Sequence, residues 1–205
     1  CGDESGATVE LGGLGDLAGD PRAHLAAARV NHKLGMAEQA RAAATLAAES
    51  NDADVAVSAA DLLLQLGQRD EANAVLARVI ESWPTSIRAH LSRAKALLAV
   101  TRGKSEASLD AAWQAVGLAP ENAEARELLA EALTRSGDPG AAIEHWHKAI
   151  AYSDGDPSRL RIKLAETALA ADQPALALAT AQTLLDDPTA ASTIKTGRAH
   201  IIAGQ

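Results

Sequence analysis

Residues 123–156 read AEARELLAEALTRSGDPGAAIEHWHKAIAYSDGD, and this stretch of 34 residues decides the fold class. Two alanine-rich stretches lie on either side of Gly137 and Pro139. Glycine is favoured just past a helix C-terminus, and proline is favoured at the first position of a helix. The stretch therefore predicts two antiparallel helices joined by a tight turn.

The same glycine and proline signals recur along the chain with a nearly constant period. The turn glycines are Gly35, Gly67, Gly103 and Gly137, which are separated by 32, 36 and 34 residues. Pro139 and Pro174 lie 35 residues apart, each two residues after a turn. A fixed period of this length indicates a repeat architecture. The frame divides the chain into the segments 21–52, 53–86, 87–122, 123–157 and 158–188.

The composition favours helices over every other fold class. Hydrophobic residues make up 47% of the 205 residues, yet aromatic residues make up only 2% and phenylalanine is absent. A β-sandwich or barrel would need aromatic and β-branched side chains to fill its pleated faces. Alanine, which dominates here, has the best intrinsic helix propensity. The chain is therefore predicted to be all α.

Charge and hydropathy exclude two classes of protein. The formal net charge is -8, whereas a nucleic-acid-binding domain normally carries a basic patch. No run of 18 apolar residues is present, which is about the length that a membrane-spanning helix requires. Binding of nucleic acid and a membrane-spanning segment are both excluded.

Small residues recur at three positions of the 34-residue frame. On the first helix of each segment they are Ala28, Ala60, Ala94 (or Ala96), Ala130 and Ala165. Early on the second helix they are Ala40, Ala72, Ser108, Ala142 and Ala177. Later on that helix they are Ala47, Val79, Ala115, Ala149 and Leu184. Small side chains at these places let two helices approach closely and let each pair stack on the next.

With these positions in phase, residues 21–188 resemble the tetratricopeptide repeat (TPR) family. The resemblance implies a right-handed α-solenoid of about five helix hairpins, and residues 189–205 are predicted to form a capping helix that closes the last interface. The sequence departs from the family pattern in three ways. The third repeat carries two extra residues between Pro84 and Gly103, and the fifth has Asp172 where the turn glycine belongs. The family's aromatic position on the first helix holds other residues here. They are His24, Ala56, His90, Arg126 and Arg161.

The residues that could carry chemistry do not form a recognisable site. His145 and His147 are two residues apart on a predicted helix and therefore point to different faces, whereas metal pairs on helices lie three or four apart. Glu124, Glu127 and Glu131 share a helical face, which we interpret as a solvated acidic ridge rather than a catalytic carboxylate pair. We therefore expect a non-catalytic protein with no metal and no cofactor.

The resemblance implies that the first helices line a concave groove, which binds a peptide or helix segment of another protein. The expected groove residues are Leu25, Arg29, Lys33, Val57, Asp61, Leu64, Leu91, Lys95, Leu98, Glu127, Glu131, Ile162, Glu166 and Leu169. Four of them form an apolar stripe flanked by charges that alternate in sign between repeats: Leu25, Val57, Leu91 and Ile162. The same four side chains fit equally well between neighbouring first helices, and both interpretations stay open.

Residues 1–20 differ from the rest of the chain. They carry six glycines and five acidic residues with no Lys or Arg, a composition typical of a flexible spacer. The only cysteine is Cys1. A chain that begins with cysteine followed by small and polar residues is typical of a processed bacterial lipoprotein, in which several acyl chains on that residue give stable anchoring. The other interpretation is a chain that merely begins at this residue.

Together these features predict a lipid-anchored scaffold on the periplasmic face of the bacterial outer membrane, which contacts the membrane only through Cys1. Such a protein is similar to the assembly lipoproteins of tight-adherence (Flp) pili and of secretin systems, and its expected partner is a secretin subunit. Two alternatives remain. One is an adaptor for cell-wall hydrolases, and the other is the helical targeting part of an enzyme whose catalytic domain lies elsewhere.

Overall fold

A computed structural model describes residues 19–99 and 106–186 of the chain. Within these residues the protein forms ten α-helices and no β-strand, which confirms the all-α prediction. The helices are α1 (Pro21–Lys33), α2 (Ala37–Ala48), α3 (Ala53–Gln65), α4 (Arg69–Ser82), α5 (Ile87–Leu98), α6 (Glu106–Leu118), α7 (Ala123–Ser136), α8 (Pro139–Ala151), α9 (Ser158–Ala170) and α10 (Pro174–Leu185).

Three of the predicted features fall outside the described residues. They are the N-terminal spacer up to residue 18, the turn at Gly103 and the capping helix over 189–205.

The chain divides into two compact units, Cys1–Ala96 and Leu97–Gln205. In the first unit, α1 packs against α2 and α3, and α3 packs against α2 and α4. In the second unit, α6, α7, α8, α9 and α10 pack in chain order, each against the next. Within each unit the helices therefore form successive hairpins that lie side by side.

Left-handed backbone at the turns explains the spacing of the glycines. Gly35, Gly67 and Gly137 follow α1, α3 and α7 with φ of 76°, 80° and 94°, a conformation that costs glycine little and other residues more. The turn between α9 and α10 has Asp172 in the same conformation, with φ 56°. The turn geometry thus persists where the sequence departs from glycine.

Side-chain oxygens cap several helix N-termini. Asp52 accepts hydrogen bonds from the backbone N–H of Asp54 at 3.0 Å and of Val55 at 3.4 Å. Asn122 and Asp138 each accept one at 2.9 Å at the starts of α7 and α8. Such caps satisfy backbone donors that have no partner within the helix, and they fix where each hairpin begins.

Small residues line the seams between the helices, as the sequence predicts. The five first-helix positions are 0% exposed: Ala28, Ala60, Ala94, Ala130 and Ala165. The residues at the two second-helix positions are all buried as well, Ser108 being the most exposed of them at 4%. These seams bring the helix backbones together, while the larger core residues Leu63, Leu76, Leu129 and Trp146 fill the space between the seams.

In two repeats, the polar side chain at the family's aromatic position is hydrogen-bonded to the preceding loop. The Nε2–H of His90 donates to the carbonyl oxygen of Pro84 at 2.9 Å. The Nε–H of Arg126 donates to the carbonyl oxygen of Pro120 at 2.8 Å. Both residues are buried, and each ties its helix to the proline six residues earlier. A hydrogen bond to the loop thus replaces aromatic packing at these two positions.

Candidate functional site

The four residues of the expected apolar stripe are buried. Leu25, Val57, Leu91 and Ile162 are 7%, 0%, 7% and 5% exposed. Side chains with so little exposed surface pack against neighbouring helices and offer a partner little area. Burial therefore favours the packing interpretation for these four residues.

The other apolar candidates differ among themselves. Leu98 is 5% exposed and Leu64 is half-buried against the core of the first unit. Leu169, near the C-terminal end of α9, is 47% exposed. Of the three, only Leu169 has much surface that a partner could reach.

Charges on consecutive first helices of the first unit pair with one another. The guanidinium of Arg88 on α5 lies 3.4 Å from the carboxylate of Asp54 and 3.6 Å from that of Asp61, both on α3. Its Nη2–H also donates to Ser58 Oγ at 2.7 Å. Exposed ion pairs of this kind contribute only about 0–1 kcal/mol each. They therefore fix the position of α5 along α3 but add little to the free energy of unfolding.

The second unit repeats this arrangement. The guanidinium of Arg159 on α9 forms a two-fold ion pair with the carboxylate of Glu127 on α7, with Nη2 and Oε2 2.6 Å apart. This pairing raises the pKa of Arg159. A second carboxylate on α7, that of Glu131, binds the guanidinium of Arg135, which also donates to the carbonyl oxygen of Leu98. Asp61, Glu127 and Glu131 therefore already have partners within the protein.

The remaining charged candidates are exposed to different degrees. Glu166 is half-buried and lies 3.8 Å from Lys163 Nζ on the same helix. Lys95 on α5 is exposed. Arg29 and Lys33 on α1 are exposed, and within the described part of the chain they form no ion pair or hydrogen bond through their side chains. These two are the predicted groove cations that have no side-chain partner among the described residues.

A cleft of about 220 Å³ opens between α7 and α9 in the second unit. Its lining residues are Glu131, Thr134, Arg135, Trp146, Lys163, Glu166 and Thr167. We call it the α7–α9 cleft. Its two carboxylates and two cations give a net charge of zero, so the cleft favours neither an anionic nor a cationic ligand.

Trp146, which reaches this cleft from α8, is the largest fully buried side chain of the described residues. Its Nε1–H is buried and has no hydrogen-bond acceptor among the described residues. An indole nitrogen can only donate, and a buried donor without a partner costs about 1–3 kcal/mol. Trp146 thus contributes a buried donor that no described residue satisfies.

The two histidines of α8 lie on different faces, as their spacing predicts. His145 is buried, and its Nδ1 lies 3.2 Å from an Nη1 of Arg126, whereas His147 is exposed. The ring of Trp113, itself 46% exposed, meets the His145 ring edge-on at 5.4 Å. Burial, and then the charge of Arg126, lower the pKa of His145. In this cluster the imidazole of His145 is therefore neutral, and its Nδ1 accepts a hydrogen bond from the guanidinium of Arg126.

The described residues contain neither a candidate metal site nor a helix that could span a membrane. No group of three or more His, Cys, Asp or Glu side chains is placed there to hold a metal ion. Among the helices of residues 19–99 and 106–186, none is both long and apolar enough to cross a bilayer.

A comparison with protein families identifies the hairpins. The tetratricopeptide repeat model matches residues 57–99 and 93–159, which together span half of the chain. The chain belongs to the tetratricopeptide repeat family.

Solved structures of other TPR-like proteins share this fold at low sequence identity. PilW, described as a widely conserved type IV pilus biogenesis factor, has 16% identity and a TM-score of 0.75, over 92% of this chain and 86% of its own. MamA from Desulfovibrio magneticus has 20% identity and a TM-score of 0.69, over 84% and 97%. A thermophilic TPR protein from Thermus thermophilus has 18% identity and a TM-score of 0.66, over 91% and 100%. None of the curated proteins matches the sequence significantly.

Membership of the family establishes a coarse function. TPR domains bind other proteins, and TPR proteins are generally non-catalytic scaffolds. This chain is a TPR-type protein-interaction scaffold.

Sequence reasoning found part of the α7–α9 cleft. It named Glu131 and Glu166 as groove residues, but not Trp146, Lys163 or Thr167. One signal was present, because Trp146 lies four residues after Ala142 and three before Ala149, and therefore on the same face of the helix as these two seam residues. That its ring N–H has no acceptor among the described residues could not be foreseen, since this depends on how other helices pack around the ring.

Proposed function

We propose that this TPR protein binds an extended segment of another polypeptide in the α7–α9 cleft. The observation that carries the proposal is a cleft with balanced charge that is lined by two hydroxyl groups, two carboxylates and two cations beside the buried Trp146. A polypeptide backbone is neutral and offers both carbonyl acceptors and N–H donors. It therefore matches a charge-balanced cleft that also contains hydroxyl groups, carboxylates and cations.

An ion pair joins the two helices that form the cleft. The paired charges Arg159 and Glu127 hold α7 and α9 in a fixed register, so the cleft is formed before the partner arrives. A preformed site loses less conformational entropy on binding than one that must be ordered.

The partner that we propose is a subunit of a pilus or secretin assembly. The support is the fold shared with PilW over 92% of this chain at a TM-score of 0.75. Lipid anchorage through Cys1, with the protein on the periplasmic face of the outer membrane, belongs to the same proposal. Mass spectrometry of the protein isolated from its native membrane tests the anchor, because an acylated Cys1 supports it and an unmodified Cys1 contradicts it.

Photo-crosslinking in the native cell tests the cleft. A benzophenone amino acid replaces Thr134, which lies in the cleft and whose hydroxyl donates to the carbonyl oxygen of Ala130 at 2.8 Å. The matched control is Thr183 on α10, an exposed threonine that makes the same bond to Ala179 at 2.9 Å. We expect adducts with one polypeptide at position 134 and none at 183. Equal labelling at both positions would contradict the site.

The identity of the adduct decides the finer assignment. A secretin or pilus subunit supports the proposed partner. A cell-wall hydrolase would favour the adaptor alternative and contradict the pilus assignment, while the cleft itself would stand.

A further inference from the structure

Arg29, His32 and Lys33 form a basic surface at the C-terminal end of α1, which we call the basic end of α1. At spacings of three and four residues they lie on one face of the helix. All three are exposed, and in the described chain none of them has an ion-pair or hydrogen-bond partner for its side chain. The neighbouring residues Leu34 and Met36 are 43% and 42% exposed, so apolar surface adjoins the cationic surface.

This lack of described partners is confined to the C-terminal end of α1. At its N-terminal end, Arg22 lies 2.8 Å from the carboxylate of Asp52. Arg88 on α5 and Arg159 on α9 stand at the same position of their helices and likewise pair with acids, those of α3 and α7. The basic end of α1 therefore still presents cations that no described acid neutralises.

Residues 1–18 supply acidic and apolar groups in a matching order. They carry Asp3, Glu4, Glu10 and Asp16, and they contain no Lys or Arg. Their apolar residues alternate with two of these acids in the run Val9, Glu10, Leu11, and again in Leu14, Asp16, Leu17. The segment therefore offers carboxylates for the cations and leucines for the exposed Leu34 and Met36.

The length of chain allows this contact. From Pro21 to Arg29 the helix rises about 12 Å, at about 1.5 Å per residue. An extended chain spans about 3.3 Å per residue. Asp16, four residues before the capping residue Asp20, can therefore run back about 13 Å and just reach Arg29, and Glu10 reaches Lys33 with chain to spare.

We propose that the acidic segment 1–18 binds the basic end of α1 within the same chain. The attachment of the segment to α1 raises its effective concentration at this surface to about the millimolar range. An acidic segment of another protein must displace it to bind there. This inference does not depend on the α7–α9 cleft, which shares no residue with the basic end of α1.

Zero-length carbodiimide crosslinking of the full chain, read by mass spectrometry, tests the proposal. The reagent joins a lysine amine to a carboxylate only where the two already touch. We expect an amide between Lys33 and Glu10. The pair Lys148–Glu144, with Nζ and Oε1 2.5 Å apart, serves as the internal positive control. At about 1 M salt, where the Debye length is about 3 Å, the Lys33 link should fall at least three-fold.

Two variants with equal charge change separate the proposal from non-specific attraction. Glu10→Gln with Asp16→Asn removes two acids from the segment, and Glu38→Gln with Glu49→Gln removes two acids from α2 and its C-terminal cap. The first variant should lose the Lys33 link to the segment and the second should keep it. Lys33 left unlinked while Lys148–Glu144 links, or linked equally in both variants, would overturn the proposal.

A mixture of ¹⁵N-labelled and unlabelled chains decides which chain provides the segment. Links confined to chains of one isotope support binding within the chain. Links that join a labelled to an unlabelled chain would mean that the segment belongs to a second copy, and this outcome also overturns the proposal.

Discussion

Asp172 is the only residue other than glycine with a positive φ in the described chain, and it holds the turn position that glycine holds elsewhere. A left-handed backbone crowds the Cβ atom of an L-residue, although aspartate tolerates this better than most. We expect Asp172→Gly to raise the free energy of unfolding by about 0.5–1 kcal/mol. Urea denaturation followed by circular dichroism measures the change.

The converse substitution provides the control for Asp172. Gly67 has φ 80°, and a Cβ atom added there would meet nothing within 4 Å. Gly67→Ala therefore isolates the backbone effect, and it should lower the free energy of unfolding by about 1 kcal/mol. A destabilising Asp172→Gly beside a destabilising Gly67→Ala would show that the Asp172 side chain contributes more than its backbone costs.

His145 makes the stability of the second unit depend on pH. Burial, and then the charge of Arg126, lower its pKa in the folded protein, so the unfolded chain binds a proton more readily than the folded one. The contribution of His145 is complete above the ordinary histidine pKa of about 6.5, and it is lost as the pH falls below that value. We expect His145→Gln to weaken this dependence between about pH 7.5 and 5.5, as measured by urea denaturation.

His147 provides the matched control on the same helix. It is exposed, and His147→Gln should keep the pH dependence of the natural protein. Glutamine at 145 can still accept the hydrogen bond from Arg126, so the comparison removes the titration and retains the contact. An unchanged pH dependence in His145→Gln would assign the effect to another group.

Among the helices, the alanine seams set the distance between neighbours. Ala130 on α7 and Ala142 on α8 are both 0% exposed, so a larger side chain has no space at either position. Ala130→Leu or Ala142→Leu should lower the free energy of unfolding by about 1–3 kcal/mol. Thermal and urea denaturation measure the loss.

An exposed alanine in the same unit separates packing from residue type. Ala179 lies on the exposed face of α10, and Ala179→Leu should change the free energy of unfolding by no more than about 0.5 kcal/mol. Equal effects at 130 and 179 would mean that the seam is not where the sequence frame and the burial both place it.

The helices and their seams could be predicted because their signals are local. Gly137 and Pro139 end one helix and begin the next within three residues, and Ala142 recurs in phase with its equivalents in other repeats. Small residues at a regular spacing identify the face of a helix that packs against its neighbours, so this face can be predicted without knowledge of distant residues. The sequence did not predict the role of Arg126, because the family pattern leads one to expect an aromatic contact at this position. In the structure, the hydrogen bonds of Arg126 to Pro120 and His145 take the place of that contact.

Across the molecule, the binding surface was harder to predict than the fold. Alternating charges on successive first helices suggested a surface that sets the register of a partner. In the structure, Arg88 and Arg159 pair with acids 27 to 34 residues earlier in the chain. Equivalent positions in neighbouring repeats lie side by side, so opposite charges there satisfy each other before any partner binds. The alternation of charge between repeats was therefore the sequence signal from which ion pairs between repeats could have been predicted.

The two binding features have no residue in common, and this leads to a prediction for the whole chain. The α7–α9 cleft is built from residues 131–167, and the basic end of α1 from residues 29–33. Changes at sites without shared partners usually act independently. Thr134→Trp, which fills the cleft, should abolish capture of the partner there while leaving the yield of the carbodiimide link at Lys33 unchanged. Glu10→Gln with Asp16→Asn should do the reverse. If either variant altered both readouts, the segment and the partner would be competing for one surface, and the separate roles assigned to them would be wrong.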